Sequence, residues 1–354
     1  MNFLTDRIRT IYFKYLAATF GSALISSIYG VVDAAMVGQY QGPTGTAALA
    51  VVSPVWNIIY SLGLLTGIGG SVLFSMLRGQ SAENKSKSNE YFTAAVIGTV
   101  LLALLTWVTI IFFDRPLLTL FGAEETLLPL AQRYMLPVKF VVPSFLFTQL
   151  LSAFLRNDGE PELATKAVLF GGVFNVFGDY FFVFVMDLGI MGAGIATAMG
   201  SVFSLFIMLT HFFKKKNTLR LVKPTRLVSM LGAIAKTGFS TFFIDVAMGI
   251  LTTLFNRQIL KYLGTDALSV YGIIINISTF VQCCAYSIGQ ASQPILSANY
   301  GAGKKDRIGE TLKYALGTAA VFGLIWTAAA ELVVAVFVAV MMNRYQRQPM
   351  SEMY

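Results

Sequence analysis

The stretch "SSIYGVVDAAMVGQY", residues 26–40, carries one acidic residue, Asp33, inside an otherwise apolar run of helical length. A membrane-spanning helix needs about 20 predominantly apolar residues, and the run around this stretch is long enough. A carboxylate placed in hydrocarbon costs roughly 2.5–3.5 kcal/mol even on the lenient insertion scales. The stretch therefore predicts a membrane helix that retains a costly acid because the acid has a function.

The composition of the whole chain favours a membrane protein with many spans. Of its 354 residues, 56% are hydrophobic and only 12% are charged, whereas a soluble domain has about 25% charged residues. The two cysteines, Cys283 and Cys284, are neighbours, so they predict no disulfide framework. A single histidine, His211, excludes a histidine cluster for a metal.

Apolar windows divide the chain into about nine predicted spans, and spans of this kind must be helical because lipid offers the backbone no hydrogen-bond partners. The fold class is therefore an all-α, polytopic membrane helical bundle. The predicted spans cover residues 11–39, 46–77, 91–113, 129–155, 163–186, 190–213, 232–259, 266–299 and 313–341.

The basic residues lie in alternate connections between these spans. This is the positive-inside pattern, and it predicts a cytoplasmic amino terminus. We expect a multi-pass protein of the plasma (inner) membrane. The pattern also explains the net charge of +8 without a nucleic-acid partner. The basic connections contain Arg7, Arg9, Arg78, Lys85, Lys87, Arg156, Lys214, Lys215, Lys216, Arg220, Lys223, Arg226, Lys304, Lys305 and Arg307.

An internal repeat divides the chain into two related halves. The motif "GTAAL" at Gly45–Leu49 recurs as "GTDAL" at Gly264–Leu268. Further along, Gly67 and Gly289 begin two similar segments, and the spacing between these two copies is nearly the same as between the first two. Six predicted spans separate the copies, and an even number predicts parallel repeats related by an axis along the membrane normal.

The repeat and the charges together predict three parts. Residues 1–213 form an amino-terminal six-helix lobe, residues 214–228 a basic cytoplasmic linker, and residues 229–354 a partial carboxy-terminal lobe of helices 7–9. The repeat predicts six spans in the second half, where three are found. We therefore expect an incomplete carboxy-terminal lobe, as in a truncated chain.

Four polar side chains of the first half are predicted to lie at one depth. Asp33, Asp179 and Thr197 each lie about seven or eight residues from the same face of the bilayer, which is roughly 10–12 Å along a helix. Asn175 lies one helical turn from Asp179 and on the same face. Their oxygens suit a hard cation such as Na⁺, and two close carboxylates also favour uptake of a proton. The alternative is that each acid is paired separately or reaches outward to the membrane surface.

The second half contains one deep acid and several amides. Asp245 is interpreted as a contact for a cationic substrate or as a second proton site, and otherwise as a hydrogen-bonding link to a neighbouring helix. Asn276, Gln282 and Gln290 line a substrate cavity or join helices. Lys139 in the first half is expected to extend its amine toward the membrane surface. No catalytic motif is present, so we expect no enzymatic activity and no cofactor.

Several of these segments resemble the multidrug and toxic-compound extrusion (MATE) transporters. "GVVDAAMVG" is similar to the acidic motif of their first helix, "LRNDGEPELA" to the loop after their fourth helix, and "FNVFGDYFF" to the Asn-x-x-x-Asp of their fifth helix. The pattern "GQ…SANYGAGK" also fits. The similarity covers the chain up to about residue 325.

The resemblance implies a two-lobed antiporter of twelve helices, of which helices 10–12 are absent here. Such a protein expels cationic or lipophilic compounds in exchange for Na⁺ or H⁺. The resemblance assigns the cation site to Asp33, Asn175, Asp179 and Thr197, and a substrate contact to Asp245. Two alternatives stay open: a flippase for lipid-linked precursors, which would need cations within the spans, and a fragment that does not transport. The coupling ion, the substrate range and the oligomeric state are left open by the sequence.

Overall fold

The computed structural model describes residues 2–123 and 125–346. Side chains are described throughout these ranges except at Ala82, Thr253, Asn256, Arg257, Leu260, residues 264–270, Gly272, Ile273, residues 275–277, Thr279 and residues 333–346. Every regular element in the described ranges is helical. The α-helices are α1 (Ile8–Gln80), α2 (Lys85–Leu120), α3 (Leu128–Lys139), α4 (Val142–Asn157), α5 (Pro161–Asp179), α6 (Ile190–Leu209), α7 (Leu227–Gly301) and α8 (Lys305–Gln346).

Helix α1 reverses direction at Gly42, which adopts a φ of 67° that favours glycine, and Pro43 follows it directly. A Cβ atom at Gly38 would lie only 2.9 Å from the side chain of Thr46, which a continuous helix would place about 12 Å away. The helix therefore has a first arm (residues 8–41) and a second arm (residues 43–80).

Helix α7 also reverses. The rings of Phe255 and Tyr271 stack with their centroids 6.1 Å apart, although a straight helix would separate two residues so far apart in sequence by about 24 Å. We call residues 227–255 the first arm of α7 and residues 271–301 its second arm. Both arms pack against the second arm of α1.

The reversals reconcile the helices with the spans expected from the sequence. In the described part, six helices are long and apolar enough to cross a membrane, and up to seven if the pair α3 and α4, bent by 60°, makes one span. Pro137 and Pro143 flank that bend, as expected of residues that interrupt helical hydrogen bonding. Because α1 has two arms, it accounts for two of the expected spans, and the count of nine stays a prediction. The all-α polytopic bundle is therefore confirmed.

Two backbone contacts at the end of the bundle obey the predicted repeat. A Cβ atom added to Gly79 would lie 1.9 Å from the carbonyl oxygen of Ala298, and one added to Gly301 would lie 1.9 Å from that of Met76. The spacing between the segments that begin at Gly67 and Gly289 also relates Gly79 to Gly301 and Met76 to Ala298. The second arms of α1 and α7 therefore touch through a pair of equivalent contacts, as expected around a local two-fold axis.

A second pair of contacts follows the same relation. The Thr19 hydroxyl donates to the carbonyl oxygen of Ser287 at 2.9 Å, and a Cβ atom at Gly238 would lie 2.0 Å from that of Leu65. The residue spacing between the "GTAAL" and "GTDAL" motifs relates Thr19 to Gly238. The spacing between the segments that begin at Gly67 and Gly289 relates Leu65 to Ser287. Each first arm thus meets the second arm of the other repeat in the same way. The lobe boundaries at residues 213 and 228 fall on an irregular segment and stay a prediction.

Both Gly79 and Gly301 lie at the end of the bundle that carries Arg78, the end of α4 and the connection between α6 and α7. We call this the basic end. A polar network joins the two halves there. Asn157 Nδ2 donates to Gln293 Oε1 at 2.9 Å, and the hydroxyls of Ser75 and Ser297 complete the network at 2.6 and 3.1 Å. The basic end is therefore closed by both backbone packing and hydrogen bonds.

Candidate functional site

The four side chains predicted to share one depth come together between α1, α5 and α6. Asn175 Nδ2 donates to the Thr197 hydroxyl at 3.1 Å, which joins α5 to α6. Asp179 is completely buried, and the carboxylate of Asp33 on the first arm of α1 is close enough to interact with it electrostatically. The two acids therefore belong to one pocket.

Small residues create this meeting of α5 and α6. A Cβ atom at Gly171 would lie 1.9 Å from the Ser204 hydroxyl and 2.7 Å from the carbonyl oxygen of Gly200, so larger residues could not fit here. This close approach places Asn175 opposite Thr197, one turn further along.

The backbone changes helix type directly after Asp179. Helix α5 ends at this residue, and Tyr180–Val185 continue as a π-helix. π-Helical turns are rare and occur frequently at functional sites, because the wider turn re-aims side chains and backbone groups. Asp179 therefore lies at the junction between an α-helix and a π-helix, and not inside a regular α-helix.

The pocket contains four buried oxygen atoms without a hydrogen-bond partner. They are Asp33 Oδ1, Asn175 Oδ1 and both carboxylate oxygens of Asp179. Leaving a buried acceptor unsatisfied costs about 1–3 kcal/mol, and more for a charged group. Oxygen atoms of this kind are the ligands that Na⁺ and other hard cations prefer, and a proton could also satisfy a carboxylate. The pocket is therefore chemically suited to hold a monovalent cation.

Tyr134 on α3 belongs to the same pocket, although the sequence analysis did not identify it. Its side chain is buried and close enough to interact with Asp33, Asp179 and Thr197. A tyrosine in an apolar helix gives no sequence signal of its own. Only the packing of α3 against α6 brings its hydroxyl to the acids.

Asp245 lies in a second polar cluster between α7 and the second arm of α1. The hydroxyl of Tyr286 donates to Asp245 Oδ1, and Ser61 is also near enough to interact. The other carboxylate oxygen, Oδ2, has no partner. Tyr60 interacts electrostatically with both Asp245 and Arg156.

Of the amide side chains predicted for a substrate cavity, the structure describes two. The side chain of Asn276 lies outside the described residues. Gln282 and Gln290 are half-buried on the second arm of α7. Neither is brought to the pocket around Asp179, and their assignment to a substrate cavity stays a prediction.

Two basic residues differ from their expected positions. Arg156, assigned to a basic connection, is only 5% exposed because the end of α4 is packed inside the bundle, and its Nη1 donates to the Ser152 hydroxyl at 2.8 Å. Lys139, expected to extend toward the surface, instead pairs with Asp114 at 2.6 Å, an acid that α2 brings alongside α3.

A model of a known protein family matches most of this chain. The model described as MatE matches residues 18–181 and 239–352, which include Asp33, Asn175, Asp179 and Asp245. The chain belongs to the MatE family. The resemblance seen in the sequence motifs is therefore confirmed.

Curated relatives of this MatE chain include two staphylococcal proteins named multidrug export protein MepA. The one from Staphylococcus saprophyticus is 26% identical over 282 residues, which cover 78% of this chain and 61% of the relative. The one from Staphylococcus aureus strain MSSA476 is 26% identical over 285 residues, covering 79% of this chain and 62% of the relative. The chain thus spans about three fifths of the length of these relatives.

Solved structures of MATE transporters share the fold of this MatE chain. An outward-facing multidrug resistance MATE family transporter of the MOP superfamily superimposes with a TM-score of 0.83 at 20% identity, covering 97% of this chain and 74% of that one. A MOP superfamily transporter from Pyrococcus furiosus, described as having a binding pocket of reverse polarity, gives 0.84 at 20% identity, covering 94% and 73%. At 20% identity, these superpositions show that this chain has the same fold.

Proposed function

We propose that this MatE chain acts in secondary active export, expelling cationic or lipophilic small molecules in exchange for Na⁺ or H⁺. The observation that carries this proposal is the buried pocket in which Asp33, Asn175 and Asp179 leave four oxygen atoms unsatisfied. The names of the staphylococcal relatives support the export of drugs. No cofactor is required, because the gradient of the coupling ion supplies the free energy.

The coupling would begin with binding of the cation between Asp33 and Asp179. The ion neutralises the two carboxylates and satisfies the free oxygens, so the first arm of α1 can pack closer to α5 and α6. An ion drives a conformational change only if it binds one conformation more tightly than the other. In this scheme the closed basic end faces the cytoplasm of a plasma-membrane protein, and the pocket loads from the opposite side.

Alternating access would require the basic end to open. The paired contacts at Gly79 and Gly301 and the bond between Asn157 and Gln293 would then separate. Because these contacts are distributed around a local two-fold axis, the two halves could rock apart as rigid bodies. Asp245, with one unpartnered oxygen beside Tyr60, would provide the counter-charge for a cationic substrate.

A thermal-unfolding assay on the purified chain tests the cation pocket directly. A ligand that binds only the folded state stabilises it by about 2.7 kcal/mol at a concentration 100 times its Kd. We expect Na⁺ or a lower pH to raise the Tm relative to choline at equal ionic strength. Asp33→Asn and Asp179→Asn should each abolish this rise, whereas Asp245→Asn, an acid outside the pocket, should retain it. A rise that survives both pocket variants would refute the site.

Transport needs a separate measurement. Vesicles containing the chain, with Na⁺ or H⁺ gradients imposed one at a time, should accumulate a fluorescent lipophilic cation only with the gradient that also stabilises the protein. Cation binding without accumulation would refute antiport by this chain and leave the pocket intact, which is the outcome expected of a fragment that does not transport.

The flippase alternative is not favoured. A flippase for lipid pyrophosphates needs several available cations within the spans, and Lys139, which lies within a predicted span, is paired with Asp114. Small molecules and membrane lipid are the partners that we propose.

A further inference from the structure

The basic linker between the two halves (residues 214–228) is held against the bundle by its backbone. It has no regular secondary structure from residue 217 to residue 224. Amides along its centre donate to side chains of the amino-terminal half. The bonds are Thr218 N to Asp158 Oδ2 (3.0 Å), Arg220 N to Asn89 Oδ1 (3.2 Å), Val222 N to Thr93 Oγ1 (3.0 Å) and Thr225 N to Glu90 Oε2 (2.8 Å).

Asp158 is the main anchor of the basic linker. Its side chain is 1% exposed and accepts hydrogen bonds from Arg78 Nη1 at 3.1 Å and from the backbone and hydroxyl of Thr218, and it contacts His211 Nε2 at 2.7 Å. Leu219 adds an apolar anchor, because it is 1% exposed and packs in the core around Phe154. The linker is therefore a docked segment with a defined outer face.

The outer face of the basic linker is positive. Lys215, Arg220, Lys223 and Arg226 are exposed, and none of them forms an ion pair with a described residue. Three acids beside the linker are already engaged: Asp158 and Glu90 hold the linker, and Glu160 pairs with Lys214 and Lys216. Lys85 and Lys87 at the start of α2 are exposed and add to the same positive surface.

Apolar side chains lie among these charges. Phe213, directly before the linker, is 91% exposed, Leu221 within it is 68% exposed, and Val228, its last residue, is 83% exposed. Exposed apolar groups beside lysines and arginines are typical of protein surfaces that rest on a membrane, where the apolar groups enter the headgroup region and the cations meet anionic lipids. The chain is a membrane protein, so such a surface is within reach of the lipid.

We propose that the outer face of the basic linker is a docking surface for the headgroups of anionic phospholipids in the adjoining leaflet. The charge complements a phosphate-bearing headgroup, and the three apolar side chains complement the boundary between headgroups and acyl chains. Because the linker is fixed to the amino-terminal half only through its inner face, lipid bound to its outer face would hold that half to the membrane surface. This inference does not depend on antiport.

The test compares lipid binding by the purified full chain in detergent, using phosphatidylglycerol against phosphatidylcholine. We expect the wild-type chain to bind phosphatidylglycerol selectively, with an affinity that falls as salt is added. A variant with Lys215→Gln, Arg220→Gln, Lys223→Gln and Arg226→Gln should lose at least tenfold in that affinity. The control removes four exposed charges elsewhere, with Arg7→Gln, Arg9→Gln, Lys305→Gln and Lys313→Gln, and should bind as the wild type does.

Two further variants separate charge from folding and from apolar contact. Arg220→Lys with Arg226→Lys keeps the charges and should keep the binding, while Leu221→Ser should weaken it by a smaller factor. Thermal unfolding without lipid checks that each variant is folded. Equal losses in the linker variant and the control, or no preference for phosphatidylglycerol in the wild type, would overturn the proposal. So would full competition by soluble glycerol phosphate, because a free phosphate compound would then be sufficient.

Discussion

A single methyl group placed at Gly79 should force open the basic end of the bundle. In the change Gly79→Ala, the new Cβ atom would lie 1.9 Å from the carbonyl oxygen of Ala298, whereas ordinary contact begins at 3.4 Å. The second arms of α1 and α7 must therefore separate locally until the methyl group and the carbonyl oxygen reach ordinary contact. The obstructing atom belongs to the backbone, so no side chain can rotate away to relieve the overlap.

The expected cost follows from known effects of overpacking. Forcing an extra methyl group into a well-packed contact costs typically about 1–3 kcal/mol, and the alanine returns about 1 kcal/mol through its better helix propensity. When the basic end is open, this contact is absent, and the alanine contributes only its better helix propensity. The equilibrium should therefore shift toward the open state by a factor of roughly 5–150.

Spin labels at Lys85 and Lys305, on opposite halves of the basic end, measure this shift in a background with Cys283→Ser and Cys284→Ser. We expect the population with the longer distance to grow in Gly79→Ala, together with a lower Tm. Gly289→Ala is the matched control, because a Cβ atom there meets nothing within 4 Å. If Gly79→Ala and Gly289→Ala have the same distances and the same Tm, the contact does not hold the basic end closed.

Three other changes test separate parts of the structure. Asp158→Asn should loosen the basic linker at Thr218 and speed its cleavage in limited proteolysis; an unchanged cleavage rate would contradict the anchoring role. Asn157→Leu removes the donor to the half-buried Gln293 Oε1 and the acceptor of the Ser75 hydroxyl, so it should lower the free energy of unfolding by about 1–3 kcal/mol, measured by chemical denaturation. A neutral change would show that the network is dispensable. Tyr134→Phe should weaken the stabilisation by Na⁺ or protons while leaving the Tm in choline within a few degrees, and an unaltered cation response would remove Tyr134 from the site.

Much of the fold was predictable because it depends on local composition. Windows of apolar residues marked the spans, and the motif around Asp33 marked a membrane acid. The parallel repeat stays a prediction from two offsets, and the contacts of Gly79 with Ala298 and of Thr19 with Ser287 fit those offsets. The shared membrane depth of Asp33 and Asp179 stays a prediction from distance along a helix, and the two side chains are close enough to interact.

The side chains that complete the sites were less predictable. Tyr134 has no sequence pattern that separates it from the other aromatic residues of the spans, and it enters the pocket because α3 packs beside α6. Arg156 was placed in a connection by its charge, although the end of α4 is drawn into the bundle. Lys139 was expected at the surface because its partner, Asp114, lies on a different helix.

The sequence by itself determined that this chain is helical and has several apolar segments long enough to cross a membrane, and it predicted acids within those segments. These features depend on the transfer of successive residues between water and lipid, which is additive along the chain. Only the tertiary structure decided which oxygens around Asp179 lie unsatisfied together, how Gly79 closes the basic end, and that the basic linker is docked with its charges outward. Those outcomes depend on contacts between segments far apart in the chain, where a single methyl group or a rotated helix changes which atoms meet.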